Sequence, residues 1–226
     1  MLESNSPKIV FVDGPTGVGK DYFIDNLKEV LNYKSDKIVS VIRATDIVLN
    51  SRTITENRKY TKYTTGELKS NSIFAGHINL LATINTKLNI KKECDLVIVN
   101  RSFLSFLIYN MYPIIDFERT DGSLFLKDQL KDFISIYSNL FYTLFYKTPS
   151  LFINLVVGND SLSKCVDIIV ERISSRKEKK DIDREWLETL VLNYSSPDGN
   201  LIKIFNHYEV IDSNGFNFIA DNYFPI

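Results

Sequence analysis

Cysteine is scarce in this sequence, and its scarcity excludes two kinds of protein. The 226 residues include two cysteines, Cys94 and Cys165, which lie far apart along the chain. Two thiols at this spacing form neither a disulfide framework nor a zinc-binding motif. We therefore expect a protein of a reducing compartment and predict a cytoplasmic location.

Long apolar runs and an excess of either charge are also absent. No apolar run approaches the 18 residues that indicate a membrane-spanning helix, and Met1–Pro7 lacks the apolar core of a secretory signal. The 27 Lys and Arg residues nearly balance 28 Asp and Glu residues, giving a net charge of −1. This balance predicts neither membrane binding nor a general nucleic-acid surface. The length and the 44% hydrophobic content suit one domain over residues 1–226.

The most informative stretch is a glycine-rich segment between a predicted strand and a predicted helix. Ile9–Val12 is an unbroken apolar run, which is typical of a strand buried on both faces. The segment Gly14-Pro15-Thr16-Gly17-Val18-Gly19-Lys20 follows it. From Asp21 onward, apolar residues recur at helical spacing. Strand, glycine turn and helix in this order form the context of a phosphate-binding loop.

The residue types of this segment suit a bound anion. Glycines let backbone N–H groups turn inward, and the start of a helix adds positive dipole at the same point. Lys20 is predicted to reach the β- and γ-phosphates of a nucleotide. The motif normally continues with Ser or Thr, whose hydroxyl binds Mg²⁺, but this chain has Asp21. The predicted nucleotide-binding residues are Gly14, Pro15, Thr16, Gly17, Val18, Gly19, Lys20 and Asp21.

Strands and helices alternate along the rest of the chain. Apolar runs predict four further strands at residues 37–42, 95–100, 151–157 and 208–211. Helical patterns separate or follow them, including 66–91, 103–111, 124–145, 161–175, 183–194 and 216–222. The alternation predicts an α/β fold with a doubly wound parallel five-stranded sheet and helices on both faces. Ligands of such sheets bind at the carboxyl ends of the strands, where the glycine segment also falls.

Three further stretches, taken in order, resemble the thymidylate kinase family and its deoxynucleoside kinase relatives. Asn100-Arg101 stands where these families have an acid followed by Arg, and thymidylate kinases continue with residues like Ser105, Leu107, Tyr109 and Asn110. Ser72–Ile78 resembles the family's Leu-Phe-Ala-Ala-Asp-Arg helix segment, and Glu171–Arg176 with Ile182–Glu188 resembles its lid and the helix after it. The resemblance covers about residues 8–212.

The resemblance implies a P-loop kinase fold with a lid at about residues 172–184. It also implies a transferase of nucleotide biosynthesis that uses ATP and magnesium to phosphorylate a deoxynucleoside monophosphate. A deoxynucleoside kinase is one alternative, and a degenerate P-loop protein that binds nucleotide without catalysis is another. Family members are commonly dimers, so a homodimer with a small-molecule substrate is expected.

Phosphoryl transfer mostly requires positioning and charge neutralisation, and basic residues at strand ends and on the lid suit both. The candidate catalytic residues are Asp13, Lys20, Arg101, Arg172 and Arg176. The candidate substrate-binding residues are Arg43, Asp46, Phe74, His77, Arg101, Tyr109 and Asn110. Several of these residues have a simpler interpretation. Arg101 could form a structural salt bridge, Arg172 and Arg176 could belong to a solvated helix face, and Asp13 or Asp46 could cap a local turn. A lone histidine such as His77 is more often structural.

Two departures from the family pattern bear on the metal and the acceptor. The acid before the family's arginine is Asn100 here, and the arginine that grips an acceptor phosphate falls on Ile78. Arg43 and Arg101 are the remaining candidates for binding an acceptor phosphate. We predict that the metal-binding carboxylate has moved to the loop, so that Asp21 and Asn100 hold Mg²⁺. The alternative is that Asp21 only caps the helix start.

Overall fold

The fold is centred on a parallel β-sheet, seen in a computed structural model that describes part of the chain. The described residues are 6–34, 38–43, 84, 94–102, 105, 135–136, 139–140, 142–145, 148–158, 161–175, 184–195 and 205–225. Their strands are β1 (Ile9–Asp13), β2 (Val39–Arg43), β3 (Leu96–Asn100), β4 (Ser150–Leu155) and β5 (His207–Ile211). The strand order is β2-β3-β1-β4-β5, and each neighbouring pair is parallel. This arrangement confirms the predicted doubly wound parallel sheet.

Burial across the sheet explains why its strands read as continuous apolar runs. Every residue of the three central strands β1, β3 and β4 is buried. The edge strands β2 and β5 are only partly buried. A strand covered on both faces has no solvent side and therefore no polar alternation. The glycine loop extends from β1, the middle strand, so it lies at the centre of the carboxyl edge.

Helices cover both faces of the sheet. The helices with complete bounds in the described ranges are α1 (Lys20–Lys34), α2 (Leu162–Ser174), α3 (Arg184–Ser195) and α4 (Phe216–Tyr223). Side chains of α2 and α3 pack with Ile9 and Phe11 of β1 in one apolar cluster. Side chains of α1 and α4 pack with Val10 and Val12 in the other. Alternate residues of one strand therefore anchor opposite layers, as the strand period requires.

The predicted element boundaries are close to the observed ones but not identical. Ser161 caps α2 as expected, because its side chain accepts a hydrogen bond from the Lys164 N–H at 3.3 Å. Strand β4 ends at Leu155, although the apolar run continues to Val157. Hydrophobicity reports burial, and it does not report where strand pairing stops. The predicted helices at 66–91 and 103–111 lie almost entirely outside the described residues, whereas the described residues of the predicted helix 124–145, which are 135–136, 139–140 and 142–145, are helical.

A membrane-spanning helix was not expected from the hydropathy of the sequence. Within the part of the chain that the structure describes, no helix is both long and apolar enough to cross a bilayer.

Candidate nucleotide-binding site

The loop between β1 and α1 has a backbone that only glycine adopts readily. In this described loop Gly14, Gly17 and Gly19 have φ values of 138°, 78° and 106°. A Cβ atom on Gly14 would lie 2.5 Å from the carbonyl oxygen of Leu155, and one on Gly17 would lie 3.0 Å from the Ile169 side chain. Both the torsion angles and the close packing against β4 and α2 therefore require these glycines. The loop is held in one shape by its surroundings.

Lys20 places a positive charge on this loop. It is the first residue of α1 and is 7% exposed. Its Nζ donates hydrogen bonds to the carbonyl oxygens of Gly14 and Pro15, both at 2.7 Å. The ammonium group therefore folds back over the loop, where the helix N-terminus adds its own partial positive charge. A glycine loop with this charge at the start of a helix is suited to bind phosphate.

The strand register brings several predicted site residues to the same edge. Arg43 pairs with Asn100 across β2 and β3, and Val12 pairs with Asn100 across β1 and β3. Arg101 follows directly and is half-buried, whereas Arg43 is exposed. The carboxyl ends of three neighbouring strands thus carry the glycine loop and two arginines. This is the edge at which ligands of open α/β sheets bind.

Arg101 has a backbone conformation that its residue type disfavours. Its φ is +73°, in the left-handed region, and its N–H donates to the carbonyl oxygen of Val12 at 3.0 Å. The left-handed conformation costs about 1–2 kcal/mol for a residue other than glycine. Such strain clusters at functional sites and persists where neighbouring groups enforce it.

Several groups around this turn donate hydrogen bonds to the carboxylate of Asp13. Asp13 is fully buried, and among the described residues five groups donate hydrogen bonds to its carboxylate. The donors are the N–H of Gly14 at 2.9 Å, the N–H and hydroxyl of Ser102 at 3.1 and 2.5 Å, the hydroxyl of Ser105, and the hydroxyl of Tyr194 at 2.8 Å. A carboxylate has about four lone-pair sites, so these donors saturate it.

The saturation of Asp13 argues against the catalytic role that the sequence suggested for it. A carboxylate that orients an acceptor or binds a metal needs a free, accessible oxygen. Asp13 is 0% exposed and its oxygens already accept hydrogen bonds from the protein. Its contacts instead tie the end of β1 to the turn after β3 and to helix α3.

Asp21 lies at the other end of the same loop and has a different environment. It is exposed, and its Oδ1 accepts a hydrogen bond from Asn100 Nδ2 at 2.7 Å. The Oδ1 atom of Asn100 is buried and has no hydrogen-bond partner within the described ranges. A buried acceptor without a partner is unfavourable, by about 1–3 kcal/mol. The two residues predicted to share a metal are therefore in contact, and one of them has an oxygen unused.

Arg172 contacts the glycine loop from the outside. It lies near the end of α2, and its Nη1 donates to the carbonyl oxygen of Val18 at 2.9 Å. The guanidinium also lies close to Gly19, since a Cβ there would be 3.9 Å from Nη1. Arg172 therefore lies against the glycine loop. Its predicted companion Arg176 lies outside the described residues.

The remaining predicted substrate-binding residues also lie outside the described residues. They are Asp46, Phe74, His77, Tyr109 and Asn110.

Sequence reasoning missed the hydroxyl groups around Asp13. Ser105 belongs to a stretch that we read as a family motif, and Tyr194 was read only as a helix residue. Tyr194 is 181 positions away from the carboxylate that it contacts. No local pattern reports a contact over that distance, although a tyrosine in the apolar stripe of a helix signals a buried hydroxyl that needs a partner.

Comparison with known proteins supports the fold and little beyond it. No protein-family model matches the sequence, and no curated protein does. Among solved structures, the chain is similar to a deoxyadenosine kinase from M. mycoides with bound dATP. The TM-score is 0.52 and the identity is 20%, with 92% of this chain and 91% of that chain covered. This likeness shows that the chain has the fold of that kinase.

Proposed function

We propose that this protein is an ATP-dependent kinase that phosphorylates a deoxynucleoside. The observation that carries the proposal is the glycine loop, with its three left-handed glycines and the Lys20 ammonium folded over it. A loop of this charge and shape, at the carboxyl edge of a parallel sheet, suits the phosphates of a nucleotide. The fold shared with a deoxyadenosine kinase supports the same class of acceptor.

Four basic residues have proposed roles in phosphoryl transfer. Lys20 neutralises charge on the β- and γ-phosphates, and Arg101 contacts the phosphoryl group or the acceptor from the end of β3. Arg172 rests against the loop at Val18 and, with Arg176, engages the transferring phosphate when the lid region closes. Asp13 makes no contact with substrate in this scheme and holds the other groups in place.

The residues at the loop end fit a magnesium ion. Mg²⁺ prefers oxygen ligands, keeps several waters and takes one or two carboxylates from a protein. Asp21 supplies one exposed carboxylate, while Asn100 orients it through a hydrogen bond and has an oxygen without a partner among the described residues. We propose that Asp21 holds the ion directly or through water, and that the ion, when bound, neutralises phosphate charge. Within the described ranges there is no cluster of three or more acidic, histidine or cysteine ligands.

The choice between a nucleoside and a monophosphate acceptor rests on the residue at position 78 and on the similarity to one solved structure. The sequence analysis favoured a monophosphate, although Ile78 occupies the position where the family's arginine grips the acceptor phosphate. A free nucleoside needs no such arginine. The structural neighbour is named as a deoxyadenosine kinase, which supports the nucleoside as the first choice.

A deoxynucleoside monophosphate is the second candidate, and Arg43 favours it. This residue is exposed at the end of β2, and its strand partner is Asn100. A guanidinium at this edge can bind a phosphate with two hydrogen bonds. If Arg43 does so, Arg43→Ala raises KM for the monophosphate far more than KM for ATP.

A panel of acceptors tests the proposal. ATP consumption is measured with each deoxynucleoside and each monophosphate, with and without Mg²⁺. Turnover with deoxynucleosides supports the first candidate, and turnover with monophosphates alone replaces it with the second. Nucleotide binding without turnover of any acceptor would indicate the non-catalytic nucleotide-binding protein. The expected homodimer is checked separately by light scattering.

A further inference from the structure

One carboxylate joins two turns at the carboxyl edge of the sheet. The Oδ1 atom of Asp13 accepts the first N–H of the glycine loop, that of Gly14, at 2.9 Å. The Oδ2 atom accepts the N–H of Ser102 at 3.1 Å, on the far side of Arg101. The carboxylate of Asp13 therefore links the loop to the turn that carries Arg101, in addition to the pairing of β1 with β3.

The turn at Arg101 depends on these bonds. Arg101 has a φ of +73°, a backbone conformation that residues other than glycine and asparagine rarely adopt. On one side its own N–H is bonded to the carbonyl oxygen of Val12, and on the other side Ser102 is bonded twice to Asp13. Strained conformations persist only when their surroundings fix them. The orientation of Asp13 consequently decides whether the turn keeps its shape.

The hydroxyl of a tyrosine on helix α3 fixes the orientation of the Asp13 carboxylate. Tyr194, which is 1% exposed, donates from its hydroxyl to Asp13 Oδ1 at 2.8 Å. Its hydroxyl also lies 2.9 Å from the Ser105 hydroxyl, and its backbone carbonyl accepts from Asn154 Nδ2 at 2.7 Å. The terminal torsion of an aspartate is broad, so the carboxylate plane is set by its donors. Tyr194 is the donor that α3 contributes, and it is itself anchored to β4.

We infer that Tyr194 is a positioning residue that acts on Arg101 through Asp13. By holding the carboxylate in one plane, it keeps Ser102 in place and maintains Arg101 in its left-handed turn beside the glycine loop. The consequence for turnover rests on the proposed role of Arg101 in phosphoryl transfer. The consequence for backbone geometry does not depend on that role.

The first arm of the test measures geometry. Tyr194→Phe removes one hydroxyl and keeps the ring, and Tyr208→Phe is the matched control. The Tyr208 hydroxyl lies 3.4 Å from Asn154 Nδ2 and is not among the described groups that donate to Asp13. Hydrogen exchange at the Ser102 amide should accelerate at least tenfold in Tyr194→Phe relative to amides of Phe152 and Ile153 in β4. Tyr208→Phe should leave this ratio unchanged. An unchanged ratio in Tyr194→Phe would overturn the inference.

The second arm is a double-mutant cycle on kcat. A misplaced catalytic group loses rate steeply with distance, so Tyr194→Phe should lower kcat about tenfold while KM for ATP changes less than twofold. In an Arg101→Ala background the same substitution should change kcat less than twofold, because the group that it positions is gone. A fully additive effect would mean that Tyr194 does not act through Arg101.

The two arms separate the inference from the proposed function. If the wild-type protein transfers phosphate to no acceptor, the proposed function fails and the exchange arm still decides the geometry. If the wild-type protein is active but exchange at Ser102 is unaffected by Tyr194→Phe, the inference alone fails.

Discussion

Two aspartates flank the same glycine loop and do different things. Asp13 stands before the loop, is fully buried and accepts hydrogen bonds from five groups of the described chain. Asp21 stands after the loop, is exposed and, within the described part of the chain, accepts one hydrogen bond, from Asn100. The residue type is the same, and both lie beside the proposed phosphate-binding loop. What separates a structural carboxylate from one available to a metal is therefore the number of oxygens left unused.

The largest expected effect is on the free energy of unfolding, which substitution of Asp13 should lower much more than substitution of Asp21. Asp13→Asn replaces an acceptor oxygen with an NH₂ group that faces other donors. Each hydrogen bond to a charged acceptor contributes about 1.5–3 kcal/mol, so we expect the free energy of unfolding to fall by about 3 kcal/mol. Asp21→Asn keeps an acceptor for Asn100 and loses a helix-start charge worth about 0.3–1 kcal/mol. Urea denaturation measures both values.

The proposed difference between the two aspartates would be wrong if Asp13→Asn and Asp21→Asn lowered the free energy of unfolding equally. Equal losses would mean that the five hydrogen bonds to Asp13 contribute no more than one exposed contact. The slope of the unfolding transition should be the same in both variants, which checks that the denatured state is unchanged.

A smaller effect is expected on magnesium. The affinity for ATP is measured by calorimetry with Mg²⁺ and with EDTA, and the ratio of the two affinities reports the bound ion. Asp21→Ser should lower this ratio about tenfold, because one charged ligand is lost. Adding Asn100→Asp should restore much of it by returning the carboxylate to the strand end.

The control for the magnesium prediction is the single variant Asn100→Asp. If the change in the affinity ratio in the double variant equals the product of the changes in the two single variants, the two positions are not coupled and Asp21 only caps the helix. In that case the ratio of affinities should also be insensitive to Asp21→Ser.

The smallest predicted effect concerns alkaline pH and the contact between helix α4 and strand β5. Burial, and then the hydrogen bond and charge of Glu209, raise the pKa of Tyr223 to about 12. The folded state therefore keeps a proton that the unfolded state releases above its ordinary pKa of about 10. Its stabilisation is fully present below pH 10 and is lost as the pH rises from 10 towards 12.

Tyr223→Phe tests this linkage. The variant should show a weaker fall in the free energy of unfolding between pH 10 and 12 than the wild-type protein. At pH 7 the pH dependence of the two proteins should be indistinguishable. An equally steep alkaline fall in the variant would assign the linkage to another group, such as Tyr208, whose pKa burial also raises.

Much of the fold was predictable from the sequence because burial and chain alternation leave clear patterns. Ile9–Val12 and Leu96–Val99 read as strands since both faces of each are covered. The glycine loop was recognisable because its backbone demands particular residues at fixed spacing. These features are local, and local pattern is what a single sequence records.

The role of Asp13 was not predictable in the same way. Its position beside the loop suggested chemistry, but its environment is built from Ser102, Ser105 and Tyr194, which lie 89 to 181 residues away. Proximity to a motif indicates where a side chain lies, and only tertiary contacts determine whether its oxygens are occupied. The contact between Asp21 and Asn100 was predictable because both follow directly from the strand-end geometry of the fold.

The most direct test of the central claim is transfer of the γ-phosphate by the wild-type protein and by Lys20→Ala. With labelled ATP, Mg²⁺ and each deoxynucleoside in turn, the wild-type protein should form a labelled deoxynucleoside monophosphate. Lys20→Ala should lower that rate by on the order of 10²–10³, because it removes a positioned charge from the transition state, while its circular dichroism spectrum stays unchanged. A variant that keeps most of the wild-type rate, or a wild-type protein that labels no deoxynucleoside, would contradict the account.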